Sequence, residues 1–334
     1  MVDAIPLSLQ TTYRDLLDRH ARRPAPEVEG SVLKVENKDN PYWVVRHRIG
    51  GTVTERRIGP DGDAAVREKA ERIREENKAL QAWGRDTAGL VAQLRAARMP
   101  TPTTGTGKLI NALSRAGLFR SGGILAGTHA FGLYALELGV RLRDGLVMTE
   151  DVDIAAARSI RVIMDEGASL TASIAGIGLR PVAGPYQPHP VRWETSDGVA
   201  LDVLTPRRRG SQAVVRLGGL GIWAQALAYL EFSLVEPIDA VVLYREGILV
   251  RIPAPERYAV HKLITASVRT GTHRAKVEKD LAQAESLIEV LAEARPYELG
   301  GALDDARSRG RKWREAIDGS LVRRPKIAEM LEGV

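Results

Sequence analysis

An α+β protein with an α/β core is the fold class this sequence predicts, on three observations. Strand-like runs alternate with helix-length periodic segments as far as residue 252, an apolar run opens directly onto a glycine at Gly127, and everything after Pro255 reads as helix. The core is expected to be a mixed sheet with flanking helices. It should carry an N-terminal β-hairpin/helix module and a helical C-terminal domain. The 334 residues allow about two domains at roughly 150 residues each, with a smaller third. The predicted division is 1–98 for a β-meander and long helix, 99–253 for the mixed-sheet domain, and 254–334 for the helical domain.

Composition narrows the class further. Hydrophobic residues at 44% and charged residues at 27% exclude a disordered or collagen-like chain. Zero cysteines exclude disulfides, thiolate zinc sites, iron–sulfur clusters and cysteine nucleophiles. Met1 to Gln10 lacks a basic region followed by an apolar core, and no segment reaches the ~18 apolar residues of a membrane span, so a cytoplasmic protein with no membrane partner is expected. The net charge of +6 suits phosphate-bearing partners, but charge alone favours an arginine-rich solvated surface.

In chain order, Leu7 to Arg22 reads as a helix stopped by Pro24-Ala25-Pro26. Ser31 to Glu36, Tyr42 to Arg48 and Thr52 to Ile58 read as strands, with Gly50-Gly51 as the hairpin signal and Gly59-Pro60-Asp61-Gly62 as the stop. Ala64 to Ala97 reads as a long charged helix with Ile73, Leu80, Trp83, Leu90 and Leu94 at helical spacing. Met99 to Gly107, rich in Pro, Thr and Gly, is expected to be a linker ahead of a helix from Lys108 to Ala116. Gly123 to Ala126 is a short buried strand entering Gly127-Thr128, and His129 to Leu138 is helical. Val152 to Ala155 and Val199 to Leu204 are strands, Ser159 to Glu166 a helix stopped by Gly167, and Ala240 to Leu243 with Ile248 to Ile252 a strand pair.

The chemistry concentrates in Leu125-Ala126-Gly127-Thr128, Asp151-Val152-Asp153 and Asp202. Two acids one residue apart on a strand point to the same side, so Asp151 and Asp153 can grip a hard cation together. Asp202, between Leu201 and Val203, supplies a third carboxylate if its strand is a neighbour. Clustered acids repel one another unless a metal or proton neutralises them, which favours a divalent-ion site. At Gly127-Thr128 a strand hands over to a helix, where glycine permits close backbone approach and free N–H groups attract phosphate.

This order of glycine turn, paired acids and distal acid resembles the polymerase-β-type nucleotidyltransferase superfamily. The wording GTHAFGLYALELGVRL followed by TEDVDIA is most similar to a bacterial group of nucleotidyltransferase-fold proteins without an assigned substrate. PYWVVRHRIGGTVTERRIGP upstream, and PAPERYAVHKLITASVRTG with Lys276 and Asp280 downstream, extend the resemblance over most of the chain. Two departures stand out: Thr128 occupies a position where serine is common, and the long gap before Asp151 leaves Arg141 to Thr149 without a role. The resemblance implies transfer of a nucleoside monophosphate from a nucleoside triphosphate (NTP) to RNA or tRNA, a protein or a small molecule. Mg²⁺ or Mn²⁺ would be held by Asp151, Asp153 and Asp202, with Asp202 also orienting or deprotonating the acceptor hydroxyl. It likewise implies that Gly127 and Thr128 cradle the phosphates, with Lys262 and then Arg269 against the triphosphate.

Other residues read more plainly. His129 is a helix-start histidine, His261 a packing or surface residue, His47 lacks a visible metal partner, and Ser121 lacks the strand–Ser–helix elbow of a hydrolase. In the hairpin, Tyr42 and Trp43 interleave with Arg46, Arg48, Arg56 and Arg57, a pattern that stacks bases and meets RNA or DNA phosphates. The competing expectation is that Trp43 and Val45 form a core face and the arginines a solvated one. Arg207-Arg208-Arg209 is expected near the Asp202 site, where it would meet a polyanionic acceptor. Two alternatives therefore stay open: a nucleic-acid-binding protein that keeps the fold for binding with catalysis lost, and a toxin-like effector that uses the same chemistry on tRNA or protein.

Overall fold

The computed structural model describes residues 3–37, 40–49, 52–142, 146, 151–155, 178–182, 189–210, 212–218, 220–269 and 274–334, with the backbone alone covered at 48, 49, 52 and 151. The expected helix Ser159 to Glu166 with its stop at Gly167 lies outside these residues, as do Thr149 and Glu150. Helix α1 (Leu7–Ala21) leads into an antiparallel meander of β1 (Ser31–Val35), β2 (Tyr42–Ile49) and β3 (Thr52–Pro60). Helix α2 (Ala64–Ala96) follows, begun by the Asp63 carboxylate, which accepts from the Ala65 N–H at 2.9 Å. At 1.5 Å per residue its 33 residues span about 50 Å. Ala70 and Ile73 are buried in its first half, on which the meander packs, while Val91 and Leu94 in its second half join the main core.

Helix α3 (Thr104–Arg115) starts inside the expected linker, which therefore ends at Thr103. The Thr103 hydroxyl caps the Thr106 N–H at 3.2 Å, and the linker glycines serve packing: a Cβ on Gly107 would meet the Tyr244 ring, and one on Gly105 would meet Val199. Beyond it come β4 (Ile124–Ala126), α4 (Gly127–Glu137), β5 (Asp151–Ala155), β6 (Arg180–Val182), β7 (Arg192–Glu194), β8 (Ala200–Pro206), β9 (Val214–Leu217) and β10 (Ile222–Leu227). These seven strands form one mixed sheet, in the order β4-β5-β8-β10-β9, with β7 against the first half of β8 and β6 outside β7. The pairs β5/β8 and β8/β10 are parallel and the rest antiparallel.

A single turn of helix, α5 (Leu230–Ser233), precedes the hairpin β11 (Ile238–Val242) and β12 (Ile248–Ile252). Five helices complete the chain: α6 (Pro255–Val268), α7 (Arg274–Ala294), α8 (Pro296–Ser308), α9 (Arg311–Arg323) and α10 (Pro325–Leu331), three of them opened by proline, whose fixed φ suits a first turn. The architecture is α+β, as expected. One apolar core runs from Ile5 and Tyr13 of the N-terminal segment through Phe131, Leu201 and Leu263 to Leu331. No helix among the described residues is long and apolar enough to cross a membrane.

Candidate active site

Strand alternation divides the mixed sheet into two faces. Leu125, Val152, Ile154, Leu201 and Val203 are buried on one face and feed the core. On the other, register aligns Ala126 of β4 with Asp153 of β5, Asp153 with Asp202 of β8, and Asp202 with Arg192 of β7. Neighbouring strands lie about 4.8 Å apart, so Asp153 and Asp202 project side by side from one face. Both are half-buried. Two residues farther along, the same face is closed by Ala155, Leu204 and Leu227 packed under Leu230 of α5, which leaves the acids at its open end.

Gly127 joins β4 to α4 at φ +61°, in the left-handed region that disfavours a side chain. A Cβ at this position would fall on the Asp153 carboxylate, so the backbone sits directly against that acid. Thr128 follows, half-buried in the first turn of α4, whose leading N–H groups form an anion-attracting end. Two adjacent carboxylates beside a bare backbone are hard oxygen donors. That donor set fits Mg²⁺, which is typically held by one or two carboxylates together with substrate phosphates. Among the described residues no group of three or more His, Cys, Asp or Glu gathers, and the Asp151 side chain lies outside the description, with its backbone beside Ala200.

Helix α6 reaches the same glycine through Tyr258, and α7 anchors the cations of α6. The Tyr258 hydroxyl on α6 shares its proton between the Gly127 carbonyl and the Gln283 side-chain oxygen, each at 3.0 Å. Burial pushes this phenol well above its ordinary pKa, reinforced by Tyr134, Asp280 and Asp153, so it keeps the proton it donates. One turn on, Lys262 lies 5.2 Å from the Tyr258 ring centre and donates to Asp280 of α7 at 2.6 Å. Arg269 donates to the other Asp280 oxygen at 2.7 Å. Burial alone would raise the Asp280 carboxyl, but the two cations overcome it and hold it below the usual range. One buried carboxylate thus fixes both predicted triphosphate-binding cations.

The remaining predicted residues divide clearly. Asp202 carries a partner the sequence did not reveal: Arg192 donates to its carboxylate at 2.7 Å and to Glu194 at 2.8 Å. Arg207-Arg208-Arg209 does not flank the acids but follows the far end of β8, five residues and about 16 Å of extended chain beyond Asp202. In the hairpin, Trp43 donates its indole N–H to Asp61 at 2.7 Å with Arg74 of α2 over its ring, and Arg57 stacks on Tyr42 at 4.4 Å. Arg46 pairs with Glu55, Arg56 is exposed, and the Arg48 side chain lies outside the description. The meander also belongs to a separate sheet. His129 stands in the first turn of α4, and Ser121 donates to the Gly117 carbonyl. Burial lowers His261 to about 4, and its buried Nε2 has no hydrogen-bond partner among the described residues, as befits a packing residue.

Sequence reasoning therefore missed Arg192, Tyr258 and Gln283 and gave Asp280 no role. Tyr258 and Lys262 stand four residues apart on a helix, which is the one local signal available. A family model described as nucleotidyltransferase matches residues 104–308, from α3 to the end of α8. Among solved structures, the chain is similar to the crystal structure of an antigenic nucleotidyltransferase-like protein from Paracoccidioides brasiliensis. The identity is 16% and the TM-score 0.40, over 70% of this chain and 95% of that one. No curated protein matches.

Proposed function

The chain belongs to this nucleotidyltransferase family, and from that premise we propose that it transfers a nucleoside monophosphate from an NTP to an acceptor hydroxyl at the Asp153–Asp202 face. The observation that carries this assignment is the register of those two acids beside the left-handed, side-chain-free Gly127. Mg²⁺ or Mn²⁺ bound by Asp153 and Asp202, with Asp151 as the further expected ligand, would neutralise triphosphate charge and acidify the attacking hydroxyl.

The chain's own residues do the rest. The N–H groups at Gly127 and Thr128 bind β- and γ-phosphate oxygens, and the cations of Lys262 and Arg269 face the leaving group. Asp280 keeps those cations in place between turnovers. The acceptor oxygen bonds to the α-phosphorus as the bond to the β-phosphate breaks. Pyrophosphate leaves with that electron pair, and Asp202 accepts the hydroxyl proton and passes it to water.

The test uses full-length protein, Mg²⁺ or Mn²⁺, each α-³²P-labelled NTP, and cellular RNA, lysate protein or small metabolites as acceptors. Wild-type protein should transfer label, and Asp153→Asn should lower the rate about 10³-fold or more with circular dichroism unchanged. Undiminished transfer by an Asp153→Asn/Asp202→Asn double variant, or failure of the wild type to bind any NTP, would overturn the assignment.

A further inference from the structure

A parallel aromatic stack stands on the same sheet as the acids. The rings of His189 and Trp223 lie 3.6 Å apart, centre to centre, at an interplanar angle of 6°. Trp223 is the second residue of β10, where Ile222 and Ala224 turn into the core. Gln225 is in register with Leu204, which shares a face with Asp202, and Leu227 packs in the cluster that closes that face. Alternation therefore puts Trp223 on the acid face, and the stacking contact brings His189 there with it. His189 lies three residues before Arg192, the cross-strand partner of Asp202. Arg216, exposed on the edge strand β9, is the cross-strand partner of Trp223.

We propose that the His189–Trp223 stack is the acceptor subsite, and that it takes a terminal nucleobase of a single-stranded nucleic acid. The proposal rests on the transfer reading above and deepens it by assigning the acceptor class. In-line displacement requires the nucleophile and the leaving group on opposite sides of the α-phosphorus. Gly127, the start of α4 and Lys262 sit on the β4 side of the acids, where pyrophosphate would leave. The acceptor then enters across Asp202, from the β7 and β10 side, which is where the stack stands.

The side-chain chemistry agrees. Neither ring is consumed by the core, since both are half-buried on the face opposite Ile222 and Ala224. A flat pair extends naturally by one more flat ring, and stacking on tryptophan and histidine is how proteins hold unpaired bases without reading their sequence. Arg216 beside Trp223 is placed for the phosphate that follows such a base. An uncharged aliphatic acceptor would use neither the rings nor the guanidinium.

The experiment measures two affinities on the full-length protein. Fluorescence anisotropy reports binding of a short 5′-fluorescein-labelled oligoribonucleotide and its deoxy counterpart, and equilibrium dialysis reports binding of labelled NTP. Trp223→Ala should weaken oligonucleotide binding about tenfold or more, and Arg216→Gln about threefold. Trp223→Phe, which keeps a ring and guards against misfolding of the alanine variant, should stay within about threefold of wild type. NTP affinity should remain within about twofold throughout. Tighter binding of the ribose strand, or equal binding of both, separates an RNA acceptor from a general single-strand acceptor. Oligonucleotide affinity indifferent to Trp223, or NTP affinity falling in step with it, would overturn the proposal. If transfer collapses in Asp153→Asn while Trp223→Ala changes nothing, the stack assignment fails alone. If the oligonucleotide depends on Trp223 but transfer survives loss of both acids, the transfer assignment is the one that fails.

Discussion

Gly127 is where backbone conformation and site chemistry meet in one residue. Its φ of +61° costs an L-residue about 1–2 kcal/mol, and any Cβ would have to displace the Asp153 carboxylate. Gly127→Ala is therefore expected to destabilise the fold by about 2 kcal/mol in urea unfolding and to weaken Mn²⁺ binding by about tenfold, because the displaced group is the proposed ligand. Wild-type stability together with wild-type Mn²⁺ affinity would show that the backbone does not need to sit against the acid. Glycine, Asp153 and Asp202 were legible from sequence because turn chemistry and strand parity are local signals. Arg192 was not, because nothing within three residues of it announces that it will face Asp202 across a strand pair. The same holds for Asp280, whose two cations reach it from another helix and from the residue capping that helix.

Among elements, those with a period or a turn signal at one end, as β4 has in Gly127, were readable, and short ones with neither were not. The meander, α2, β5 and β8 each carry several alternations or turns, and the structure puts them within a few residues of where periodicity does. Strands β6 and β7 have three residues each and β9 four, too few to show a period, and their pairing is set by neighbours distant in sequence. Helix α2 also hides a polar device within its charged surface. Asn77, buried in mid-helix, donates to the Val28 and Ile73 carbonyls at 2.8 and 2.9 Å and accepts from the Gly30 N–H at 2.8 Å. It thereby locks the segment leading into β1 onto the helix. Asn77→Ala leaves a backbone N–H and a carbonyl unsatisfied, so a loss of about 2–3 kcal/mol is expected in urea unfolding. Loss of less than about 0.5 kcal/mol would mean that solvent replaces those bonds.

At the scale of the whole molecule, the N-terminal helix is the tie between the meander–α2 unit and the sheet domain. Tyr13 of α1 accepts from the Val241 N–H of β11 at 3.2 Å, and Glu137 at the end of α4 pairs with both Arg14 of α1 and Arg295 ahead of α8. His20 completes the tie: its ring meets Trp83 of α2 edge-on at 5.0 Å, and its Nε2 bonds the Glu246 carbonyl in the β11–β12 turn at 3.2 Å. A Cβ on Gly247 would collide with that imidazole, so turn and ring are fitted to each other. Burial lowers His20 from 6.5 to about 4, against the Glu246 hydrogen bond and with help from Arg23. The unfolded chain therefore binds a proton that the folded protein refuses between those two values, and stability falls as pH drops through that window. From about pH 7 to pH 5 the loss due to this one group is about 2 kcal/mol. His20→Gln keeps a donor for the Glu246 carbonyl but cannot take up the proton. Urea unfolding at the two pH values should thus show wild type losing about 2 kcal/mol more than the variant, and equal losses would mean that His20 titrates alike in both states.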